Sequence, residues 1–345
     1  MKQLRLSLVG FGVVGQGFAE LLATKHDLLR SHYDFEVKLV GVANSQGFIY
    51  REEGLDIPTL LELGKRRAAL TQHPGVQSWK NALDGVRATR GDVLVEVTGT
   101  NLRDAEPAIS HIRAALTQNM HVITANKGPG ALAAIDLMHL AHEHHVQLRM
   151  EATVMAGTPV LSTIREGLAG ARVRSIRGIL NGTTNYILSA MAGGRNYSDV
   201  LAEAQAQGYA ETDPTADVEG YDAVAKALIL SALVFGHTVT IDQVVREGIT
   251  QVTKEQIHKA NHENKRIKLL TSLHVVADLG ECPLDVRVEP QALPLSDPLA
   301  RVDGVMNAIT FQTDTLSEVT VIGPGAGSVQ TAQGLLADLI AIAKS

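Results

Sequence analysis

The stretch "LRLSLVGFGVVGQGFAELL" near the start of the chain restricts the fold more than any other. An apolar run, Leu4 to Val9, breaks at Gly10-Phe11-Gly12-Val13-Val14-Gly15, and Phe18, Leu21 and Leu22 then recur at helical intervals. A glycine turn of the form G-x-G-x-x-G between a buried strand and a helix is the local geometry of a dinucleotide site. Gly10 permits the tight turn, Gly12 lets a pyrophosphate approach the backbone, and Gly15 allows close helix–strand packing. The helix N-terminus offers amide donors to the phosphates. Glycine triplets also arise in ordinary turns, so the flanking strand and helix are what give this one its meaning.

The alternation continues. "FEVKLVGVAN", "GDVLVEVTGT" and "MHVITANKG" read as strands, and "AEPAISHIRAALTQN" and "GALAAIDLMHLAHEHHV" as helices. Strands alternating with helices predict an α/β fold over residues 1–150, a Rossmann-type doubly wound parallel sheet with helices on both faces. From about residue 151 the pattern changes to helices interspersed with strand-like segments such as "VRSIRGILNG", "LDVRVEPQAL", "VMNAITFQT" and "SEVTVIG". A second, α+β domain over 151–327 with a mixed or antiparallel sheet is expected. The amphipathic helix at 328–345 is expected to pack back on the first domain. No Pro-rich linker intervenes, so the boundary reads as a compact crossover.

At 345 residues the chain is long enough for two domains. A net charge of −6 without a long basic run provides no electrostatic footprint for nucleic acid or an anionic membrane surface. The single cysteine, Cys282, precludes an intramolecular disulfide and fits a reducing compartment. The basic, then apolar, N-terminus superficially resembles a secretory leader, but glycines interrupt it and no small-residue cleavage pattern follows. A cytoplasmic location is expected.

The tip of the second strand reports on the cofactor. An acidic residue there would bind the adenosine ribose 2′-OH. The chain has Val42-Ala43-Asn44-Ser45 instead, which does not repel a 2′-phosphate and offers Asn44 and Ser45 as donors. NADP with tolerance of NAD is the expectation. "VEVTGT" and "VITANK" both end polar, which places Thr98, Gly99, Thr124, Asn126 and Lys127 towards the nicotinamide end. Lys127 could equally be a surface lysine in a strand-to-helix loop.

The segment "ETDPTADVEGYDAVAK" crowds Glu211, Asp213, Asp217, Glu219 and Asp222 ahead of Lys226. Lys226 is the only charged residue from Ala223 to Phe235, in a helix apolar nearly all round. It is either one half of an i,i+4 ion pair with Asp222 or a proton donor in a partly dry pocket. Asp213, Asp217 and Glu219 read as turn-forming, capping or solvated residues. The four histidines of "HLAHEHH" read as a solvated helix end, and "HKANHENKRIK" (258–268) as an exposed helix face. Cys282 in "GECPLD" lacks a nearby histidine or helix start and is a poor nucleophile candidate.

Taken in chain order, "GFGVVG", "VEVTG", "TANK", "EATVMAGTPV", "GILNGTTNYIL", "GYAETDPTADVEGYDAVAK" and "GPGAG" resemble the homoserine dehydrogenase family, over nearly the whole chain. The resemblance implies reversible NAD(P)H-dependent reduction of L-aspartate 4-semialdehyde to L-homoserine, in the aspartate-derived route to threonine and methionine. It implies a small-molecule amino-acid substrate and a homodimer, with the second domain serving substrate binding, catalysis and dimerisation. By the same resemblance, Lys127 and Lys226 are the two active-site lysines, Lys226 being the proton donor. Glu211 and Asp222 hold the substrate's ammonium. Backbone amides of "NGTTN" (181–185) are expected to take its carboxylate, although Asn181, Thr183 and Thr184 could equally only cap or cross-link the turn. Gly208 and Gly325 match positions close to substrate or cofactor. Glu151, Val154, Ala156 and Thr158 match a loop whose backbone carbonyls bind Na+ or K+ in some relatives.

Two departures matter. Met155 stands where a glycine is common, between two of the cation ligands. The sequence carries neither a fused aspartokinase nor a C-terminal regulatory domain, so threonine feedback through such a domain is expected to be absent. The rival readings are a related amino-acid dehydrogenase, such as an aspartate dehydrogenase, and a non-catalytic NAD(P)-binding sensor.

Overall fold

The computed structural model describes residues 1–276 and 284–345, so Cys282 lies outside the described residues. The chain divides into two compact units, Met1–Gly157 with Gly327–Ser345, and Thr158–Ala326. No helix among the described residues is long and apolar enough to cross a membrane.

The first unit is built on a seven-stranded sheet. Its strands are β1 (Lys2–Val9), β2 (Phe35–Asn44), β3 (Gly47–Tyr50), β4 (Gln77–Trp79), β5 (Val93–Glu96), β6 (His121–Thr124) and β7 (Leu148–Arg149). They are ordered β4-β3-β2-β1-β5-β6-β7. From β2 to β7 all neighbours are parallel, as buried apolar strands joined by helices require. The chain goes from β1 to β2 on one side and returns to place β5 on the other. The strand order therefore reverses between β1 and β5, which is where an open α/β sheet opens a crevice at its carboxyl edge.

The Rossmann-type parallel sheet is present as expected, with an antiparallel edge that the sequence did not suggest. β3 and β4 extend it as antiparallel strands beyond β2. The tip of β2 turns directly into β3, and the Asn44 side-chain oxygen accepts from the Gln46 amide at 2.9 Å to close that turn. Beneath the sheet Leu6, Leu8, Phe18, Val95 and Ile123 are buried in one cluster. The helix Ser328–Lys344 adds Leu335, Leu339 and Ile342 to it. Each such side chain stabilises the fold by roughly 1.5–3 kcal/mol relative to exposure.

The second unit carries a six-stranded sheet. Its strands are β8 (Val173–Ile179), β9 (Val245–Arg246), β10 (Lys265–Val275), β11 (Leu284–Pro294), β12 (Met306–Thr313) and β13 (Glu318–Pro324). Their order is β13-β12-β8-β10-β11-β9, antiparallel except where β9 joins β11.

One sequence expectation fails in this unit. Residues 258–268 are not a single exposed helix face, because the helix Lys254–His262 ends and β10 begins at Lys265. Lys268 is 1% exposed. Its Nζ donates to the Val302 carbonyl at 2.6 Å, to Asn185 Oδ1 and Asp303 Oδ1 at 3.0 Å, and to Ser189 Oγ at 3.2 Å. A buried ammonium survives only with such a set of acceptors, and burial holds its pKa below the ordinary lysine value although Asp303 opposes the shift.

Candidate active site

In the first unit the glycine turn has the geometry its spacing promises. Gly10 has φ +108°, and a Cβ there would lie 2.6 Å from the Val97 carbonyl carbon. A Cβ on Gly15 would lie 2.0 Å from the Gly10 oxygen, so only glycine lets the helix Val13–Thr24 sit this close to the turn. Gly12 caps that helix without a side chain, and a Cβ there would meet nothing within 4 Å among the described residues.

A cleft of about 1040 Å³ opens over this turn. Gly10, Phe11, Gly12 and Val13 line it at the turn, Asn44 and Ser45 at the tip of β2, and Thr98 and Gly99 beyond β5. Volume, bare backbone and an uncapped helix terminus fit a dinucleotide. Of the fingerprint residues, Val14 and Gly15 do not belong to the lining, and Gly15 serves helix packing.

Two cations that sequence reasoning missed, Arg67 and Lys80, line the same cleft as Asn44 and Ser45. Arg67 follows the helix Ile57–Lys65 and Lys80 follows β4. No motif at the β2 tip could have revealed them, because it is the tertiary fold that brings them to the cleft.

Lys127 is the first residue of the helix Lys127–Glu143 and is half-buried. Asn126 caps that helix, its Oδ1 accepting from the Gly128 amide at 3.0 Å. The Asn126 amide nitrogen donates to the carbonyls of Thr98 at 3.2 Å and Gly99 at 3.3 Å. The polar ends after β5 and β6 are thus one hydrogen-bonded unit. Glu151, Val154 and Ala156 lie in and around the short helix Ala152–Met155. Ala156 has φ +50° and Met155 is buried. The Glu151 amide donates to Asp338 Oδ2 at 2.8 Å.

In the second unit, Asn181 caps the helix Gly182–Ala192 by accepting from the Thr184 amide at 2.9 Å. Its amide nitrogen, which the cap leaves over, donates to Asp217 Oδ1 at 2.7 Å and Asp222 Oδ2 at 3.1 Å. Thr183 Oγ1 donates to the Tyr209 carbonyl at 2.6 Å and to Asp217 Oδ2 at 3.1 Å. Lys226, on the helix Tyr221–Phe235, is 6% exposed. Its Nζ lies 2.8 Å from Asp222 Oδ2 and donates to the Leu180 carbonyl at 2.5 Å. The i,i+4 pair is present, and it sits inside a larger cluster.

Asp217 is the residue sequence reasoning assigned wrongly here. It is neither a solvated nor a turn residue: the short helix Thr215–Val218 turns it onto Asn181 and Thr183. Burial pushes its pKa above the ordinary aspartate value, and Asp222 pushes the same way. Hydrogen bonds from Asn181 and Thr183 and the charge of Lys226 oppose that rise. Asp213 accepts from the Thr215 amide and hydroxyl, as a turn residue does. Glu219 accepts from Thr250 Oγ1 at 2.8 Å.

Glu211 is exposed, and among the described hydrogen bonds only its backbone carbonyl takes part, accepting from Gln205 at 3.1 Å. Gly208, with φ +74°, has open space where a Cβ would be. Gly325 packs against the Asn307 side chain, which a Cβ would meet at 2.1 Å, and Thr158 Oγ1 donates to the Pro324 carbonyl at 2.9 Å. Among the described residues no group of three or more metal-ligating side chains is assembled, and His139, His142 and His145 are exposed.

Residues 10–151 match the sequence family described as homoserine dehydrogenase, NAD binding domain, and residues 159–340 match the family homoserine dehydrogenase. The chain is 39% identical to an NAD(+)-dependent homoserine dehydrogenase of Pseudomonas canavaninivorans, covering 100% of this chain and 97% of the relative. It is also 39% identical to a homoserine dehydrogenase of Methanocaldococcus jannaschii, covering 98% of each. A hyperthermophilic archaeal homoserine dehydrogenase solved in complex with NADPH superposes with a TM-score of 0.83 at 29% identity, over 98% of this chain and 97% of that one.

Proposed function

The chain belongs to the homoserine dehydrogenase family, and from that premise we infer that Lys226 is the proton donor of its reaction. That reaction is the NAD(P)-dependent interconversion of L-homoserine and L-aspartate 4-semialdehyde, an oxidoreduction at a CH–OH carbon. The nicotinamide cofactor, when bound, supplies or accepts the hydride. The observation that carries the inference is the placement of the Lys226 ammonium. It is largely buried and held by Asp222 and the Leu180 carbonyl. A donor so fixed can give its proton to an alkoxide at one place and take it back in the reverse direction.

Around it, Asp222 and Glu211 are the carboxylates for the substrate's ammonium, and Asp217 joins them, held by Asn181 and Thr183. Gly208 leaves room beside this group, and the amides that open the helix Gly182–Ala192 receive the substrate's carboxylate. Lys127 is the further catalytic lysine. The first unit binds the dinucleotide through Gly10, Phe11, Gly12, Val13, Asn44, Ser45, Thr98 and Gly99. The second unit binds the amino acid and forms a homodimer in the cytoplasm. NADP is the preferred cofactor, a reading supported by Arg67 and Lys80 in the same cleft as an acid-free β2 tip. The backbone carbonyls of Glu151, Val154, Ala156 and Thr158 bind Na+ or K+.

The test is initial-rate cofactor reduction with L-homoserine, comparing NADP+ with NAD+ and with or without Na+ or K+. Turnover with homoserine, faster with NADP+ and stimulated by the cation, is the expected result. Equal rates with both cofactors would remove the NADP preference, and indifference to cations would remove the cation site. L-Aspartate assayed in parallel addresses the aspartate dehydrogenase alternative.

A further inference from the structure

Glu96 ends β5 and is 0% exposed. A carboxylate so enclosed is costly unless donors surround it. Its Oε1 accepts from the Thr98 amide at 3.1 Å and from the Thr98 hydroxyl, and its Oε2 lies 3.5 Å from Thr124 Oγ1. The neighbouring imidazole of His111 is 3% exposed, with Nδ1 3.8 Å from Oε1 and no hydrogen-bond partner among the described residues. Thr98, Gly99 and His111 all line the cleft, and Thr98 and Gly99 follow β5, which lies across β1 from the β2 tip. Glu96 therefore stands directly behind the cleft wall, one residue removed from whatever lies against Thr98. The same Thr98 carries the Asn126 amide, so the carboxylate also fixes the loop that leads into Lys127.

We propose that Glu96 is a specificity-determining residue for the redox state of the cofactor. Its enclosed negative charge favours the pyridinium cation of the oxidised nicotinamide over the neutral reduced ring. The proposal rests on the cleft being the cofactor site. In the strand order β2-β1-β5 the glycine turn follows the central β1, with the β2 tip on one side and the end of β5 on the other, which leaves the β5 side for the nicotinamide. The two rings differ by one positive charge and little in shape, so hydrogen bonding and packing scarcely separate them. A fixed charge in a poorly screened interior does. Oxidation of homoserine starts from the cationic form, and Glu96 thereby offsets the general preference of an apolar pocket for the neutral ring.

Glu96→Gln tests this. The glutamine keeps an acceptor for both Thr98 donors, removes the charge, and exchanges the oxygen beside Thr124 for an amide donor. Dissociation constants for NADP+ and NADPH, measured by calorimetry on the purified protein, are the readout, with 2′-phospho-ADP-ribose as a probe that lacks the nicotinamide. The expected result is that the ratio Kd(NADP+)/Kd(NADPH) rises about tenfold, while affinity for the fragment is unchanged. Glu96→Asp, which keeps the charge but withdraws it by one methylene, should raise the ratio in the same direction and by less. That variant carries the test alone if Glu96→Gln does not fold. An equal loss for both redox forms, or an unchanged ratio in the folded variants, would leave Glu96 a structural residue and overturn the proposal. Failure of the fragment to bind the wild-type protein would instead reject the cleft as the cofactor site.

Discussion

Replacing Lys226 by methionine removes one ammonium and keeps most of the stem that fills its place in the helix Tyr221–Phe235. Two contacts disappear, 2.8 Å to Asp222 and 2.5 Å to the Leu180 carbonyl. Asp222 keeps the Asn181 amide at 3.1 Å, and its side chain is 19% exposed, so it is not stranded without a donor or water. The stability cost should therefore be about 1–3 kcal/mol, the range for one unmade buried bond. The catalytic cost is larger. A positioned proton donor contributes about 10²- to 10⁴-fold, which is about 3–5 kcal/mol of barrier. Steady-state kcat with homoserine should fall by that factor, while NADPH affinity measured by fluorescence stays within about twofold. Lys226→Arg restores the charge but cannot release a proton at working pH, so it should not rescue oxidation of homoserine. A folded Lys226→Met protein with kcat within tenfold of wild type would exclude Lys226 as the proton donor, because the ammonium would then be an ion pair and nothing more.

Other substitutions separate the remaining roles. Glu211→Ala should raise the KM for homoserine by about 10- to 100-fold, the value of one charge-assisted contact, with cofactor affinity unchanged. An effect on cofactor affinity alone would remove Glu211 from the substrate. Gly15→Ala puts a Cβ 2.0 Å from the Gly10 oxygen. It should cost about 1–3 kcal/mol in a thermal melt and weaken NADP+ and NADPH together, and wild-type affinity would contradict the packing role. Lys268 supplies a pH test. Burial lowers its folded pKa below the ordinary 10.5, so the unfolded chain binds more protons between the two values. Wild-type stability relative to Lys268→Met should rise with pH through that alkaline window and be lost as pH falls through the folded value. Urea titrations along an alkaline pH series measure it, and a flat difference would contradict the assignment.

What the sequence disclosed was set by how local the signal is. β1, β2, β5 and β6 are legible because buried parallel strands are continuous apolar runs, and the glycine turn because its steric demands fall on adjacent residues. β3 and β4 were missed because strands of four and three residues carry no periodicity, although their pairing helps bring Lys80 to the cleft. Lys268 was misread because a basic run looks solvated until strand alternation points one member inward. At the site, Lys226 was conspicuous as a lone charge in an apolar helix. Asp217 was not, because its burial depends on Asn181 and Thr183, 36 and 34 positions away in the chain. Glu211 is the converse case. It stands out in the acidic run, and the fold leaves its carboxylate exposed.

In the proposed complex homoserine lies with its side-chain hydroxyl on Lys226 and its ammonium among Asp217, Asp222 and Glu211. A crystal structure of the protein with L-homoserine and an unreactive cofactor analogue measures this directly. The hydroxyl oxygen should lie within hydrogen-bond distance, about 2.6–3.2 Å, of Lys226 Nζ, and the ammonium should contact at least two of the three carboxylates. Homoserine bound with its ammonium on Lys226's side and its hydroxyl turned away, or bound outside the Asn181–Asp222 cluster, would contradict it.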